Sequence, residues 1–559
     1  MISYLVKLSN LNFISSIVII ISILSVALLD VVGISLFFLF INNFIIGGSI
    51  NLLNDNLFLS SVVRFNSIEF LIILSIIYII KFVVIIILQF LISRVALKKQ
   101  YELKINLLNK IVRMNLYKLL EFNNAKLLNI FSNHMNIFSD CLESYLKLTA
   151  DIFFILVLST FLLFINTQIF LSGVLIMIFS LFLIKSFLTK KIELFGLIYN
   201  KALHSQFIKI KEFIVGAQVI KLFQKEKLFL NMIIESAYNV YINSLKRNIL
   251  NILPRQIFEL VAIFFIILIT GFMTLNYSKD ILISTVSVFV ISLPRLIPIL
   301  NSIIINLNIL KFGKPAISEL FEIYQLNVNN DVSNQKIIDD FKELNIENLK
   351  FKFNQSKDLL FHINSFSIKR NEIVGIIGES GVGKSTFINL IIGNNFEFDG
   401  NILIDNKKYS SRDSYLLNNV ALVPQENFIF EGNIEENITF ETNRNNIDKN
   451  KLNYAIELSQ LKDFYEYNKN KAILDMGKNI SGGQKQRINI ARAFYFNKNF
   501  LVFDEPSSSL DVKTEDEFIN VLNENKNNFT ILIITHRNNI LKICNSIYKF
   551  ENKKLIKIK

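Results

Sequence analysis

Long apolar runs dominate the first 310 residues of the chain, and shorter ones dominate the rest. Each long run has about 20 residues or more, which is the length that an α-helix needs to cross the hydrocarbon core of a bilayer. An even number of crossings returns the chain to the side on which it began. We predict six spans, at roughly 12–41, 68–93, 145–165, 168–188, 256–275 and 281–310.

Two long polar segments, 94–144 and 189–255, keep apolar residues at helical spacing. We therefore expect helices that continue from the membrane into the cytoplasm. Lys and Arg are concentrated in these two segments, whereas the connections on the other side are short and nearly uncharged. This asymmetry predicts a multi-pass protein of the cytoplasmic (inner) membrane with both termini in the cytoplasm. Residues 50–59 favour either a short amphipathic helix at the outer interface or a plain external loop.

The pattern changes after residue 325. Residues 326–343 are polar and are predicted to form a linker. From Leu344 to the end, short β-type runs alternate with helical stretches, as in a soluble α/β domain. The predicted fold is therefore multi-domain, with an all-α six-helix membrane domain (1–325) followed by an α/β domain (344–559) that must lie in the cytoplasm.

Composition narrows the classes of function. Of 559 residues, 52% are hydrophobic, and the formal net charge is +13. Such a charge could indicate a nucleic-acid partner, but the cations lie in the two cytoplasmic segments that flank the spans, so we expect no nucleic acid. Only Cys141 and Cys544 are present, which makes a disulfide framework or a zinc site unlikely to be the basis of the fold.

A glycine-rich stretch organises the α/β domain. It follows an apolar run, 373–377, precedes another, 387–392, and matches the pattern G-x-x-x-x-G-K-[ST] between a strand and a helix. Backbone N–H groups of such a loop and the helix N-terminus bind phosphate. Lys384 is predicted to reach the β- and γ-phosphates, and Ser385 to bind Mg²⁺. The predicted nucleotide contacts are Gly378, Glu379, Ser380, Gly381, Val382, Gly383, Lys384, Ser385 and Thr386.

Two further motifs lie later in the same domain. A buried strand, 500–503, is followed by Asp504 and Glu505, which places Asp504 near Mg²⁺ and lets Glu505 orient a water molecule against the γ-phosphate. The residues Ser481, Gly482, Gly483 and Gln484 precede a helix and form another anion site. The domain thus has two phosphate-binding elements, far apart in sequence, for one nucleotide.

These three motifs, together with the six spans, make the chain resemble an ATP-binding cassette (ABC) transporter of the exporter type. The resemblance covers essentially the whole chain and implies an ATP hydrolase that drives transport, with ATP and Mg²⁺ as cofactors. It also implies a homodimer that is formed through both domains. In that family, the Ser481–Gln484 signature of one copy closes on the ATP held by the phosphate loop of the other.

The resemblance assigns roles to single residues. Gln425 matches a glutamine that contacts Mg²⁺, together with Ser385 and Asp504. His536 matches a histidine that contacts the γ-phosphate, and Glu505 completes the predicted catalytic group. Because Glu505 and His536 are both present, true hydrolysis is expected.

Other positions carried over from the family lie at the edges of the site. Phe353 falls where an aromatic residue, usually Tyr, stacks on adenine. Asp511 belongs to a loop, 508–511, that faces the dimer interface in the resembled family. Two short cytoplasmic helices that transmit nucleotide-driven closure are expected at about 123–131 and 209–221.

Ionisable residues inside spans are candidates for cargo binding. They are Asp30, Lys81, Asp151, Glu259 and Arg295, with Arg64 and Arg255 near the span ends. Of these, Arg295, Glu259 and Arg64 are selected as cargo contacts. An arginine that faces a cavity suits an anionic group such as a pyrophosphate. The alternative is an internal ion pair between Arg295 and Glu259.

Segments of the first and sixth spans, 29–35, 286–290 and 293–298, resemble bacterial flippases of lipid-linked oligosaccharides. The expected cargo is an amphipathic polyprenyl-pyrophosphate glycan that is flipped outward across the lipid bilayer. A lipid, peptide or multidrug exporter is the alternative, and an ATP-gated channel or receptor is a more remote one. Soluble DNA-repair ATPases share the signature motif but have no membrane spans.

Overall fold

The computed structural model describes residues 1–11, 13–40, 67–114, 119, 122, 124–184, 190–277, 279–326, 336–338, 340–352, 358–379, 381–393, 398–409, 415–417, 419–469, 471–507 and 509–559. The chain divides into two compact units. The first contains residues 1–109 and 124–326, and the second contains residues 110–123 and 327–559. The predicted outer helix at 50–59 lies outside the described residues.

The first unit is entirely helical in its described part. Its helices are α1 (Ile2–Ser9), α2 (Phe13–Phe40), α3 (Ser67–Val112), α4 (Asn124–Asn129), α5 (Met135–Ile165), α6 (Thr167–Ile184), α7 (Lys190–Val215), α8 (Ala217–Leu222), α9 (Glu226–Asn276) and α10 (Lys279–Gln325). At 1.5 Å per residue, the 51 residues of α9 span about 77 Å. That length is more than twice the thickness of a bilayer core, so α9 must extend well beyond it.

Five helices in the described part of the chain are long and apolar enough to cross a membrane. They overlap the first, second, third, fifth and sixth predicted spans. The fourth predicted span coincides with α6, which contains a shorter apolar stretch, Thr167–Ile178. Helix α5 packs against α2 and α10, and α9 packs against α7 and α10. Large side chains such as Phe258 and Phe265 of α9 and Phe289 of α10 fill the apolar core between them.

Short helices occur near both predicted coupling segments. Helix α4 lies within the range 123–131, whereas most of the range 209–221 belongs to the end of α7. Helix α7 ends just before Gly216, and the short helix α8 follows at Ala217–Leu222. The second predicted helix therefore begins later than expected.

The second unit combines three sheets with helices. Its strands are β1 (Lys336–Ile338), β2 (Glu343–Phe351), β3 (Phe361–Lys369), β4 (Ile373–Gly378), β5 (Asp399–Ile404), β6 (Lys407–Tyr409), β7 (Tyr415–Leu417), β8 (Val420–Val423), β9 (Phe500–Asp504), β10 (Thr530–Ile534), β11 (Ser546–Glu551) and β12 (Lys554–Lys557). Its helices are α11 (Lys384–Ile392), α12 (Ile434–Thr439), α13 (Lys449–Leu458), α14 (Lys462–Asn468), α15 (Gly482–Tyr495), α16 (Val512–Glu524) and α17 (Asn538–Lys542). An all-α unit followed by an α/β unit is the fold class predicted from the sequence.

The central sheet has the strand order β12-β11-β4-β10-β9-β8. All neighbours in it are parallel except β11 and β12. Every residue of β9 and β10 is buried, which explains their continuous apolar sequences. An antiparallel sheet of order β3-β2-β5-β6 packs beside it through a shared apolar core.

The predicted linker, 326–343, is not irregular throughout. Lys336–Ile338 forms β1 and pairs in parallel with β7. A strand of three residues with one polar member has no periodicity to distinguish it, so the sequence did not predict β1 within the linker.

Candidate functional site

Three neighbouring strands of the central sheet end at one cavity. In β10, Ile534 pairs with Asp504 of β9 and with Ile376 of β4, so the carboxyl ends of the three strands are level. Ligands of parallel α/β sheets bind outside such ends. The cavity has a volume of about 350 Å³. Its lining residues are Leu360, Gly381, Gly383, Lys384, Ser385, Thr386, Gln425, Asp504 and Glu505.

The phosphate loop joins β4 to α11 and needs glycine at two of its positions. Gly381 and Gly383 have φ angles of 83° and 98°, which side-chain-bearing residues rarely adopt. A Cβ atom at Gly383 would also lie 3.0 Å from Leu360 Cδ2. The backbone can therefore curl toward the cavity as predicted, and Ser380 of the same loop lies outside the described residues.

Lys384 begins α11 and is largely buried. Its Nζ donates hydrogen bonds to the carbonyl oxygens of Gly378 and Glu379 and lies 3.2 Å from His536 Nε2. Burial lowers the pKa of Lys384, and the nearby carboxylates of Glu505 and Asp504 oppose that shift. The Lys384 ammonium group thus lies at the centre of the site. It donates to two carbonyl groups of the loop, and a bound phosphate would be a further acceptor for it.

Ser385 and Asp504 bring two oxygen atoms together. Ser385 Oγ donates to Asp504 Oδ2 over 2.6 Å, and burial raises the pKa of Asp504 against the effect of this bond. Mg²⁺ prefers oxygen ligands and uses few protein groups beside water and phosphate. A serine hydroxyl and a carboxylate, with the Gln425 side chain lining the same cavity, therefore fit Mg²⁺.

The three predicted catalytic residues contact one another. Gln425 Nε2 donates to Glu505 Oε2 over 3.0 Å, and His536 Nε2 lies 3.8 Å from Glu505 Oε1. A carboxylate held between an amide and an imidazole at the mouth of a phosphate site can accept a proton from a water molecule.

The signature motif caps a helix. Ser481 precedes α15, its Oγ accepts from Gln484 N over 3.2 Å, and Gln484 Oε1 accepts from Ser481 N over 2.9 Å. Gly482 and Gly483 lie against Ser509. None of the four predicted signature residues is among the described residues that line the cavity at the phosphate loop.

The remaining predicted nucleotide contacts are scattered. Val382 is partly buried against the apolar core, and Asp511 precedes α16 at the surface. A hydrogen bond with the Thr514 side chain lowers the pKa of Asp511. Phe353 and Arg64 lie outside the described residues.

The candidate cargo residues have partners that differ from those expected. Arg295 Nη1 on α10 lies 3.0 Å from Asp30 Oδ1 on α2, and Lys81 Nζ on α3 contacts the same oxygen atom. Glu259 instead pairs with Arg255 at 2.8 Å, one helical turn away on α9. The alternative of an internal Arg295–Glu259 ion pair is therefore wrong. Asp30 and Arg295 are 265 residues apart, and only the packing of their helices brings them together.

Tyr78 is a member of this cluster that sequence reasoning missed. Its hydroxyl accepts a hydrogen bond from Arg295 Nη2. It lies three residues before Lys81 on α3, so helical spacing places both side chains on one face. That spacing was the available signal, but it does not reveal which helix the face contacts.

Comparisons with known proteins show what the chain is similar to. Residues 361–508 match the family model described as ABC transporter. A putative ABC transporter ATP-binding protein of Mycoplasma genitalium is 31% identical over 283 residues, or 48% of this chain and 46% of that protein. An ATP-dependent lipid A-core flippase of Saccharophagus degradans is 30% identical over 253 residues, or 44% of this chain and 43% of that protein.

An alpha-hemolysin translocation ATP-binding protein of Escherichia coli is 31% identical over 218 residues, or 38% of this chain and 31% of that protein. The matched stretches cover less than half of each of these three relatives. The fold is similar to that of a bacterial Atm1-family ABC exporter with ATP bound, with a TM-score of 0.74 and 18% identity over 97% of this chain and 94% of that one.

Residues 361–508 therefore contain the domain that the ABC transporter model describes. The fold of the chain is that of an ABC exporter, with one helical membrane unit and one nucleotide-binding unit. The second unit contains this ABC transporter domain, which implies ATP binding. With several long apolar helices before that domain, the chain is a multi-pass membrane protein.

Proposed function

We propose that this protein hydrolyses ATP with Mg²⁺ and uses the energy to export an amphipathic substrate across the cytoplasmic membrane. The proposal depends most on one observation. Phosphate-loop, carboxylate and glutamine side chains from separate parts of the sequence line one cavity, and His536 lies against two of them, Lys384 and Glu505.

Each side chain has a separate task in this scheme. Lys384 binds phosphate oxygen atoms, and Ser385 and Asp504 hold the metal ion. When bound, Mg²⁺ offsets the negative charge of the phosphate oxygen atoms. Glu505 accepts a proton from the attacking water, and Gln425 and His536 hold the Glu505 carboxylate in place.

We further propose that two copies of the chain form a homodimer. The signature residues Ser481–Gln484 offer an anion site at the start of α15, yet they do not line the cavity of their own phosphate loop. A second copy, placed by two-fold symmetry, would bring its signature to that cavity and complete it. Phe353 is proposed to stack on the adenine base, and Asp511 to lie at the dimer interface.

For the cargo, we propose a lipid-linked oligosaccharide with an anionic pyrophosphate group. Lys81 and Arg295 share the single carboxylate of Asp30, so these three groups together carry one excess positive charge. An uncompensated cation inside the membrane attracts an anion strongly because water does not screen it. Similarity to a relative named as a lipid A-core flippase supports a lipid cargo. Arg64 and Glu259 stay predictions as cargo contacts.

Reconstitution tests the proposed function. In proteoliposomes, the wild-type chain should hydrolyse ATP with Mg²⁺ and move a fluorescent polyprenyl-pyrophosphate glycan from one leaflet to the other. Glu505→Gln should lower kcat at least about 100-fold, because it removes the general base, while ATP still binds. Undiminished turnover in this variant would refute the catalytic assignment.

Two outcomes would refute the cargo alone. One is a glycan lipid that neither moves nor stimulates hydrolysis. The other is transport of a peptide in its place, which would favour the activity named for the hemolysin-translocating relative.

A further inference from the structure

Gln486 is a fully buried amide in the middle of the second unit. It lies in α15, two residues after the signature, with 0% of its surface exposed. Its Nε2 donates to the backbone carbonyl oxygen of Glu505 over 3.0 Å. Its Oε1 accepts from the backbone N–H of Ser509 over 3.1 Å. Both ends of one side chain therefore bind backbone that carries other predicted site residues.

The backbone of Glu505 needs such support. Its φ angle is 52°, in the left-handed region that a residue with a side chain enters at a cost of about 1–3 kcal/mol. The Glu505 N–H donates to the Ile534 carbonyl oxygen over 3.0 Å, and the Glu505 carbonyl oxygen accepts from Gln486. Contacts on both sides of the Cα atom thus fix the direction in which the carboxylate leaves the backbone.

The segment on the other side of Gln486 is held just as closely. A Cβ atom at Gly483 would lie 2.9 Å from the Ser509 carbonyl oxygen, so α15 approaches this backbone without a side chain between them. The amide of Gln486 thereby joins the start of α15, the segment from Ser509 to Asp511 and the residue after β9.

We infer that Gln486 is a positioning residue, which holds Glu505 in its left-handed conformation and links that conformation to the position of Ser509. This inference rests on the proposed role of Glu505 in hydrolysis. It assigns a task to a residue that touches neither the phosphate-loop cavity nor the carboxylate itself. Loss of the bond should leave ATP binding unchanged and misdirect the carboxylate at the chemical step.

Two substitutions separate the two bonds. Gln486→Met has a similar length and forms neither bond, whereas Gln486→Glu still accepts from Ser509 but donates nothing to Glu505 when ionised. In the full-length chain in proteoliposomes, both should lower kcat for ATP by about 10- to 100-fold, since small misplacements of a catalytic group have effects of this size. The KM for ATP should stay within about twofold.

Asn437→Leu is the matched control. Asn437 is also a 0% exposed amide, and it binds the backbone of Phe430 through Oδ1 at 3.1 Å and Nδ2 at 2.9 Å, away from Glu505 and Ser509. It should lower the melting temperature but keep kcat within about twofold of wild type. A similar loss of kcat in this control would overturn the inference, because general destabilisation would then explain both.

A wild-type kcat in Gln486→Met, which can form neither bond, or a raised KM at unchanged kcat, would overturn it as well. Glu505→Gln in the same assay keeps the two claims distinct. If Glu505→Gln retains turnover, the proposed function fails. If Glu505→Gln is inactive while both Gln486 variants are fully active, only the role of Gln486 fails.

Discussion

At the scale of single residues, burial shapes the nucleotide site. Burial lowers the pKa of Lys384 and raises the pKa of Asp504. Both shifts favour the neutral form of the side chain, because water is excluded from both groups. Each group opposes the shift of the other through its charge. The site therefore holds charged groups at a cost in folding stability, which a phosphate and a metal ion would offset.

Asp504→Asn should raise the melting temperature of the nucleotide-free protein at neutral pH. The raised pKa of Asp504 means that the folded state keeps this proton longer than the unfolded state. The cost of ionisation is therefore fully present above the folded-state pKa and absent below the unfolded value, about pH 4. Melting curves from pH 4 to pH 8 should show a gain that grows with pH.

Asp511→Asn is expected to change the melting temperature in the opposite direction. The pKa of Asp511 is lowered, so its ionised form favours folding, and its removal should not stabilise the protein at any pH. Equal responses of the two variants to pH would contradict the assigned role of burial at Asp504.

Arg295→Ala should weaken binding of an anionic cargo by about 10- to 100-fold, because a hydrogen bond to a charged group contributes about 1.5–3 kcal/mol. Lys81 and Asp30 would then form a neutral pair, with no excess charge to attract the anion. The apparent Kd from cargo-stimulated ATP hydrolysis measures this change. Arg255→Ala removes a more exposed cation that lies outside the Asp30 cluster, so it should weaken binding much less than Arg295→Ala, and equal effects would refute the role of Arg295.

At the scale of elements, the membrane unit depends on close contact between α5 and α10. A Cβ atom at Gly313 of α10 would lie 2.2 Å from Cys141 Sγ and 3.1 Å from Ile137 Cγ2 on α5. Such a gap admits no side chain unless one helix moves. The glycine therefore sets the distance between two helices that both reach from the membrane region to the polar segments.

Gly313→Ala should lower the melting temperature in nanodiscs, with overpacking that costs about 1–3 kcal/mol. Adding Cys141→Ala should restore most of the loss, since the nearest remaining atom of that residue, Cβ, lies at 3.9 Å. Gly271→Ala in α9 is the control: a Cβ there meets nothing within 4 Å, and alanine favours a helix interior by about 0.5–1 kcal/mol. Equal destabilisation by both glycine substitutions would contradict the packing argument.

Elements could be predicted wherever a local pattern specifies them. The phosphate loop has a strand, glycines and a helix in immediate succession, and each of the buried strands β9 and β10 contains four consecutive apolar residues. Contacts between distant elements could not be predicted in the same way. The partner of Arg295 depends on which faces of α2, α3 and α10 meet, and β1 is too short to show a period.

At the scale of the whole molecule, the protein combines a helical membrane unit with an α/β ATPase unit in the order predicted from the sequence. Hydropathy located the long helices because a bilayer imposes a length on each span. The cargo is less accessible to sequence reasoning, since a fold of this kind hosts many substrates. Among the described residues, the ionic cluster around Asp30 favours the anionic cargo proposed above.

The central claim is that the phosphate loop of one copy and the signature of another act on the same ATP. Lys384→Ala disables every phosphate loop in its own homodimer, and Ser481→Arg disables every signature in its own. A heterodimer of the two, purified through two different tags, has one site with both elements intact only if they come from different chains.

The deciding measurement is the ATP turnover of that heterodimer in proteoliposomes beside each parent homodimer. We predict turnover well above that of either parent, up to about half of the wild-type rate, since one of two symmetric sites is restored. A heterodimer as inactive as both parents would contradict the claim.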